Sequence, residues 1–409
     1  MSEASIRTAG EAGPTSGSLV LNPHVAALPP YNAGLTVAVA RAASRRSDIA
    51  RLASNENPDG CSPAVLTALR SPEFEPWRYA DPACTELRNA LAEKFAIAAD
   101  RIVVGNGSEE MIAAIARAAL TPGCEVVTVI PSFGLHEIEP LAAGARVVKV
   151  PMADDLGFDI EAIAAALAAE PRILFLSSPS NPVGPALDQA QLERLARAAS
   201  PRTLFVLDEA YYEYADEGAP DALATLSAAG LPHVVLRTFS KAYGLAGLRV
   251  GYAICSDAGL ARAIAAAKTP FNVNGAAQIA ALAALRDEAW MKASTARLRA
   301  ERERVQTALH RLGLRPAPSQ TNFLFLDMGV DSDGIAAALL REGIIVKPWR
   351  EAGYRSYLRA TIGHAADNDR LIAGLATCLS APTPPAFNES GNRSNNTEGN
   401  CNDQPRTSG

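Results

Sequence analysis

Lys241 stands in the run Thr238-Phe239-Ser240-Lys241-Ala242-Tyr243-Gly244-Leu245-Ala246-Gly247-Leu248-Arg249, directly after an apolar stretch. Burial there, with a nearby cation such as Arg249, lowers a lysine's pKa and frees its amine as a nucleophile. A solvated surface lysine is the ordinary alternative, and apolar, Gly-rich flanks fit it poorly. Three more groups follow short apolar runs. Gly105-Asn106-Gly107-Ser108-Glu109-Glu110 opens a helix, so it is either an anion site built from free backbone amides or a tight turn. It is no dinucleotide fingerprint, because Glu110 stands at the third glycine position, and no Gly-Lys-Ser/Thr follows. Asp208-Glu209-Ala210-Tyr211 either caps a helix or holds a carboxylate in a low-dielectric cleft, with the Tyr211 hydroxyl at the same ligand. Ser177-Ser178-Pro179-Ser180-Asn181-Pro182-Val183-Gly184 reads as a turn whose place at a strand end is its one functional hint.

The elements that position these groups alternate. Short runs rich in Val, Ile, Leu or Phe at 101–104, 125–129, 146–150, 172–176, 203–207, 233–237 and 249–254 are expected to be strands buried on both faces. Helices at 108–119, 160–169 and 187–199 fit between them, which predicts crossover units and a mostly parallel sheet. A helical stretch from 275 to about 311 then leads to strands at 322–327, 344–346 and 358–362 and a helix at 332–341. The expected fold is therefore α/β, with a larger sheet domain and a smaller α+β domain. In open parallel sheets chemistry sits at the carboxyl ends of the strands, where all four groups fall.

Composition narrows the classes. The chain has 409 residues, 38 Lys plus Arg against 44 Asp plus Glu, and a net charge of −6. At 48% apolar and 20% charged it reads as globular. Without basic runs, neither nucleic acid nor an anionic membrane is expected as a partner. Six scattered cysteines with no C-x-x-C pair fit a reducing cytoplasm and neither a disulfide framework nor a zinc site. The first residues lack a secretory pattern, and no apolar run approaches the roughly 18 residues of a membrane span. His24, His136, His233, His310 and His364 show no ligand spacing; they are read as structural, with no metal site, and Trp77 and Trp290 as packing residues.

Taken together, an anion cradle, a carboxylate, a phenol, an amide and a lysine–arginine pair at one sheet edge suit pyridoxal phosphate. The chain also resembles the fold-type I aminotransferases (class I/II), and within them the histidinol-phosphate aminotransferases, over about residues 20–380. The resemblance rests on Arg51-Leu52-Ala53-Ser54-Asn55-Glu56-Asn57-Pro58, Arg78-Tyr79-Ala80-Asp81, the Gly105–Glu110 turn and Pro131-Ser132-Phe133. It continues through Asn181-Pro182-Val183-Gly184, Asp208-Glu209-Ala210-Tyr211, Ser240-Lys241, Gly247-Leu248-Arg249 and Leu358-Arg359-Ala360-Thr361-Ile362-Gly363.

What the resemblance implies is specific. Lys241 is the Schiff-base lysine, Asp208 the partner of the pyridine nitrogen, and Asn181 and Tyr211 contacts of the ring oxygen. Phe133 stacks on the ring. Backbone amides of Gly107, Ser108 and Glu109, with Thr238, Ser240 and Arg249, hold the phosphate, and Tyr79 reaches it from the neighbouring subunit of a homodimer. Arg359 forks the substrate carboxylate, which argues against a decarboxylase. Asn55 and Asn322 line the pocket by position, or bond their loops. The implied reaction is transamination of histidinol phosphate with 2-oxoglutarate in histidine biosynthesis. Where the family usually has a second arginine, this chain has Lys347-Pro348-Trp349-Arg350. Lysine keeps the charge without the fork, and Trp349 adds an aromatic wall, so an aromatic or broad-specificity aminotransferase is the alternative. A regulator on this fold would carry a DNA-binding domain, and the arm here is short and not basic. The implied division is an arm at 1–18, a segment joining the small domain at 19–62, the cofactor domain at 63–285, the small domain at 286–380 and an unstructured tail at 381–409.

Overall fold

The structure is a computed structural model that describes residues 21–28, 34–71 and 74–380. The arm at 1–18 and the tail at 381–409 lie outside the described residues. A short strand β1 (Ala50–Arg51) precedes seven strands that form one sheet: β2 (Ile102–Gly105), β3 (Glu125–Ile130), β4 (Arg146–Pro151), β5 (Ile173–Ser177), β6 (Leu204–Asp208), β7 (His233–Thr238) and β8 (Gly251–Cys255). Their order is β2-β8-β7-β6-β5-β3-β4. Only β8 runs against its neighbours, so the sheet is mostly parallel.

Alternation along each inner strand sends side chains into two buried layers. Val126, Phe175, Val206 and Leu236 enter one; Val127, Leu176, Leu207 and Val235 enter the other. That is why these runs read as continuously apolar. β4 departs from the expected two-face burial. It has β3 as its one neighbour, and Arg146 and Lys149 are exposed along it, as suits an edge strand.

Two further expectations are corrected. The strand expected over 249–254 starts at Gly251, because Arg249 takes a left-handed conformation (φ 60°) in the turn before it. The helical stretch over 275–311 is two helices, Gly275–Arg286 and Glu288–Arg311. Between them the Asp287 carboxylate accepts the Trp290 N–H at 3.3 Å and the Ser62 hydroxyl. An aspartate caps a helix start better than it continues one.

The smaller layer contains β9 (Phe323–Asp327), β10 (Ile344–Ile345), β11 (Lys347–Pro348) and β12 (Tyr357–Thr361). β11, β12 and β9 form an antiparallel sheet, and β1 pairs in parallel with β10. Register sets Lys347 directly opposite Arg359. Trp290 packs against the core. Trp77 does not: it is 76% exposed, beside an exposed Tyr79 whose ring lies 4.7 Å from that of Phe271. Among the described residues no helix is long and apolar enough to cross a membrane, and no His, Cys, Asp and Glu cluster has metal-holding geometry.

Candidate active site

A cavity of about 600 Å³ opens where the parallel strands end, closed on its far side by the β11–β12 hairpin. Ser177, Asp208 and Thr238, the last residues of β5, β6 and β7, all face it. The strand ends thus deliver side chains of different chemistry to one volume.

Lys241 is half-buried, and its Nζ donates to the Ser54 carbonyl at 3.2 Å. Burial lowers its amine to about 8, the Arg359 charge adds to this, and Arg249 acts as a weaker cause. Arg359, 118 positions later in the chain than Lys241 (359 − 241 = 118), is thus the larger cation effect, where the sequence pointed to Arg249. Asp208 is buried. Its Oδ1 accepts the Ala210 N–H at 3.1 Å, a local turn, while Oδ2 lies 3.1 Å from His136 Nε2. Asp208 is not a helix cap: Tyr211 is the N-cap residue of the turn Tyr212–Tyr214 that follows, and Asp208 lines the cavity.

His136 is the residue that sequence reasoning missed. It was assigned a purely structural role, yet it is buried against the Asp208 carboxylate, stacked on Phe175 at 5.3 Å and met edge-on by Phe133. Its one signal was position: it lies three residues after Phe133, in the helix Leu135–Ala142 that follows a strand end.

Asn55 joins both of its readings. It lines the cavity and donates from Nδ2 to the Tyr211 hydroxyl at 2.8 Å, while its N–H and Oδ1 bond Thr361 Oγ1 at 3.0 Å each. Asn322 is not among the lining residues. It sits behind the loop, donating from Nδ2 to the Asn55 carbonyl at 3.0 Å.

The turn after β2 builds the cradle. Gly107 has φ +77°, a backbone conformation that favours glycine, and a Cβ there would lie 2.6 Å from Arg249 Nη2, so the guanidinium would have to move aside. Arg249 Nη2 donates to Glu109 Oε2 at 2.8 Å, and Thr238 Oγ1 donates to Ser240 Oγ at 3.0 Å. Ser108, Glu109, Ser240 and Arg249 all face the cavity. On the opposite side Arg359 donates from Nη1 to Asn181 Oδ1 at 2.6 Å and from Nη2 to the Ala53 carbonyl at 2.8 Å. Phe323 and Trp349 lie under its guanidinium at 5.2 and 5.9 Å. Lys347 lines the same wall, its amine lowered to about 8 by burial and then by Arg359. Phe133 also lines the cavity; Tyr79 does not.

A helix start with amides and an arginine, a buried carboxylate, a phenol, an amide and a lysine of lowered pKa around one cavity fit pyridoxal phosphate in each of its polar parts. The comparisons agree with that fit. The family model for aminotransferase class I and II matches residues 47–375. Histidinol-phosphate aminotransferase 1 of Mesorhizobium japonicum is 45% identical over 351 residues, 86% of this chain and 96% of its own. Histidinol-phosphate aminotransferase 3 of Rhizobium meliloti is 44% identical, covering 86% and 95%. The crystal structure of histidinol-phosphate aminotransferase from Sinorhizobium meliloti in complex with pyridoxal-5'-phosphate superposes with a TM-score of 0.81 at 31% identity, over 89% of this chain and 98% of that one. The chain belongs to the class I and II aminotransferases, and it is a pyridoxal-phosphate-dependent transaminase.

Proposed function

We propose that this enzyme transfers an amino group between histidinol phosphate and 2-oxoglutarate, a step of histidine biosynthesis. The observation that carries this reading is the Lys347–Arg359 cross-strand pair facing the cavity. Two cations side by side suit a phosphate in one half-reaction and a carboxylate in the other. The adjoining wall suits an imidazole: Trp349 gives a flat apolar face, and Glu351, which accepts the Trp349 Nε1–H at 3.1 Å, gives an acceptor for a ring N–H. The names of the relatives support the same substrate. Lysine in place of an arginine, beside Trp349, favours aromatic amino acids as the second reading.

Bound pyridoxal phosphate supplies an electron sink for the carbon that loses its proton. The protein's residues do the rest. Gly107, Ser108 and Glu109 amides, Ser240, Thr238 and Arg249 would bind its phosphate. Asp208, oriented by His136, would hold a proton on the ring nitrogen, while Asn181 and Tyr211 would bond the ring oxygen and Phe133 would pack on the ring. Lys241 would hold the cofactor through its Nζ, and the same amine, once free, is placed to take the substrate's α-proton. Arg359 and Lys347 fix the anion so that the α-hydrogen meets Nζ.

The functional unit is a homodimer in this reading. Tyr79 is 85% exposed and outside its own cavity, beside the exposed Trp77 and Phe271, which suits a residue that completes the partner's phosphate site. Five described cysteines, all free thiols, support a cytoplasmic setting. Paired assays of histidinol phosphate with 2-oxoglutarate and of glutamate with phenylpyruvate test the substrate: kcat/KM should favour the first pair by about 100-fold. Equal or greater activity on phenylpyruvate overturns it. A sedimentation mass of one chain removes Tyr79 from the site.

A further inference from the structure

The helix Gly107–Ala119 starts without the cap that its sequence offers. Asn106 is its N-cap residue, yet the Asn106 side chain bonds none of the first helical N–H groups. It turns away and donates from Nδ2 to the Asn272 carbonyl at 2.9 Å. Glu110 holds this arrangement from the other side. Its Oε2 accepts the Asn106 N–H at 2.6 Å and also the Asn272 side-chain amide. Lys268 completes the knot, donating from Nζ to the Val104 carbonyl at 2.9 Å and to Asn272 Oδ1 at 3.1 Å.

An asparagine at this position ordinarily accepts the N–H of the second or third helical residue. Here those residues are Ser108 and Glu109, which face the cavity. A capped helix would spend on its own side chain the amides that an anion needs. Glu110 does not line the cavity. Its carboxylate bonds the Asn106 N–H just before the helix start, and the Lys268 ammonium, bonded to the same Asn272 side chain, offsets its charge.

We propose that Glu110 is a positioning residue for the phosphate site: with Asn272 it keeps the Asn106 side chain from capping the helix, and so leaves the Gly107, Ser108 and Glu109 amides open to the cofactor's phosphate. This rests on the reading that these amides bind that phosphate. None of Asn106, Glu110, Lys268 and Asn272 lines the cavity, so their effect should appear in phosphate recognition alone.

The test uses the full-length chain stripped of cofactor and titrated by absorbance with pyridoxal phosphate and with pyridoxal, which has the same ring and no phosphate. In Glu110→Ala, affinity for pyridoxal phosphate should fall about 10-fold, the worth of one charge-assisted hydrogen bond. Affinity for pyridoxal should stay within about twofold, since the ring contacts are untouched. Glu110→Gln keeps an oxygen for the Asn106 N–H and should retain most of the affinity. Adding Asn106→Ala to Glu110→Ala removes the side chain that would cap and should restore affinity. If both ligands weaken together in Glu110→Ala and in Glu110→Gln, Glu110 only supports the fold and the proposal is wrong. Unchanged binding of both ligands also overturns it. A wild-type chain that binds pyridoxal as tightly as pyridoxal phosphate overturns instead the reading of the cradle itself, and the proposal with it.

Discussion

Lys241 on the floor of the cleft and Lys347 in its outer wall both have amines drawn down to about 8, in each case by burial first and by Arg359 second. The same deprotonation has opposite consequences in the two places. On the floor the neutral amine is the useful form, because only it can bond the cofactor carbon or accept a proton. In the wall the charged form is the useful one, because an anion needs it. Arg359 stays charged throughout and so serves as the constant part of the wall. One shared physical cause thus makes one amine available as a base and confines the other's charge to pH values below about 8, and position decides which.

The largest effect tests whether the floor is the chemical centre. Lys241→Ala should cut turnover by about 10⁴-fold, the upper range for a positioned acid–base group, and remove the visible absorbance of the lysine-bound cofactor. Activity within tenfold of wild type would remove Lys241 from its role. Next come the adjacent acids Asp208 and Glu209, which end the same strand with different fates. Glu209 is buried in a 2.8 Å ion pair with Arg237, whose guanidinium lies 3.5 Å from the Tyr212 ring centre. Asp208→Asn should lower turnover by about 10²-fold or more with little change in melting. Glu209→Ala should instead cost about 3–5 kcal/mol of stability, because Arg237 is left buried without its partner. Denaturant titrations and kinetics on both variants check this, and the reverse pattern would contradict the assignment.

Lys347→Ala should raise KM for histidinol phosphate by about 10–100-fold, as expected for one charge-assisted contact, with kcat little altered. A fall in kcat alone would move Lys347 from the wall to the chemistry. The smallest effect is the pH dependence. Cofactor capture by the stripped chain should speed up as pH rises through about 8 and then level off. KM for the phosphate substrate should worsen above about 8, and Lys347→Arg should flatten that rise, since guanidinium does not titrate there. Both lysines have folded pKa values below their unfolded value of about 10.4, so each contributes stability that rises with pH between about 8 and 10.4, while the buried Cys84 and Cys255 thiols, pushed up to about 11 and about 12, work against it. Melting-temperature series of the stripped chain against Lys241→Ala and Lys347→Ala isolate the lysine contribution: the wild type should gain relative to each variant as pH rises through the window, and no difference in slope would contradict the burial of both amines.

The inner strands, the Gly105–Glu110 turn and the residues after β5, β6 and β7 were legible because they depend on local pattern. An inner parallel strand must be apolar on both faces, and a group placed just after it must reach the sheet's carboxyl edge. The break at Asp287 was hidden because helical periodicity continues across it; the cap, with its partner Ser62 from the other end of the chain, interrupts the backbone.

By itself, then, the sequence determined the class of chemistry, the sheet edge on which it sits and the local motifs that supply a lysine, a carboxylate and an anion cradle. The tertiary structure decided which of these groups act on one another. It set His136 against Asp208, 72 positions apart, bound Asn55 to Tyr211 across 156, and left Asn322 out of the pocket lining, bonded to the loop backbone at Asn55. It also made Arg359 the stronger cation on Lys241. The physical reason is that backbone periodicity is a property of neighbouring residues. Hydrogen bonds and charge effects fall off over a few ångströms of space, and the approach of distant segments exists only once the chain has folded.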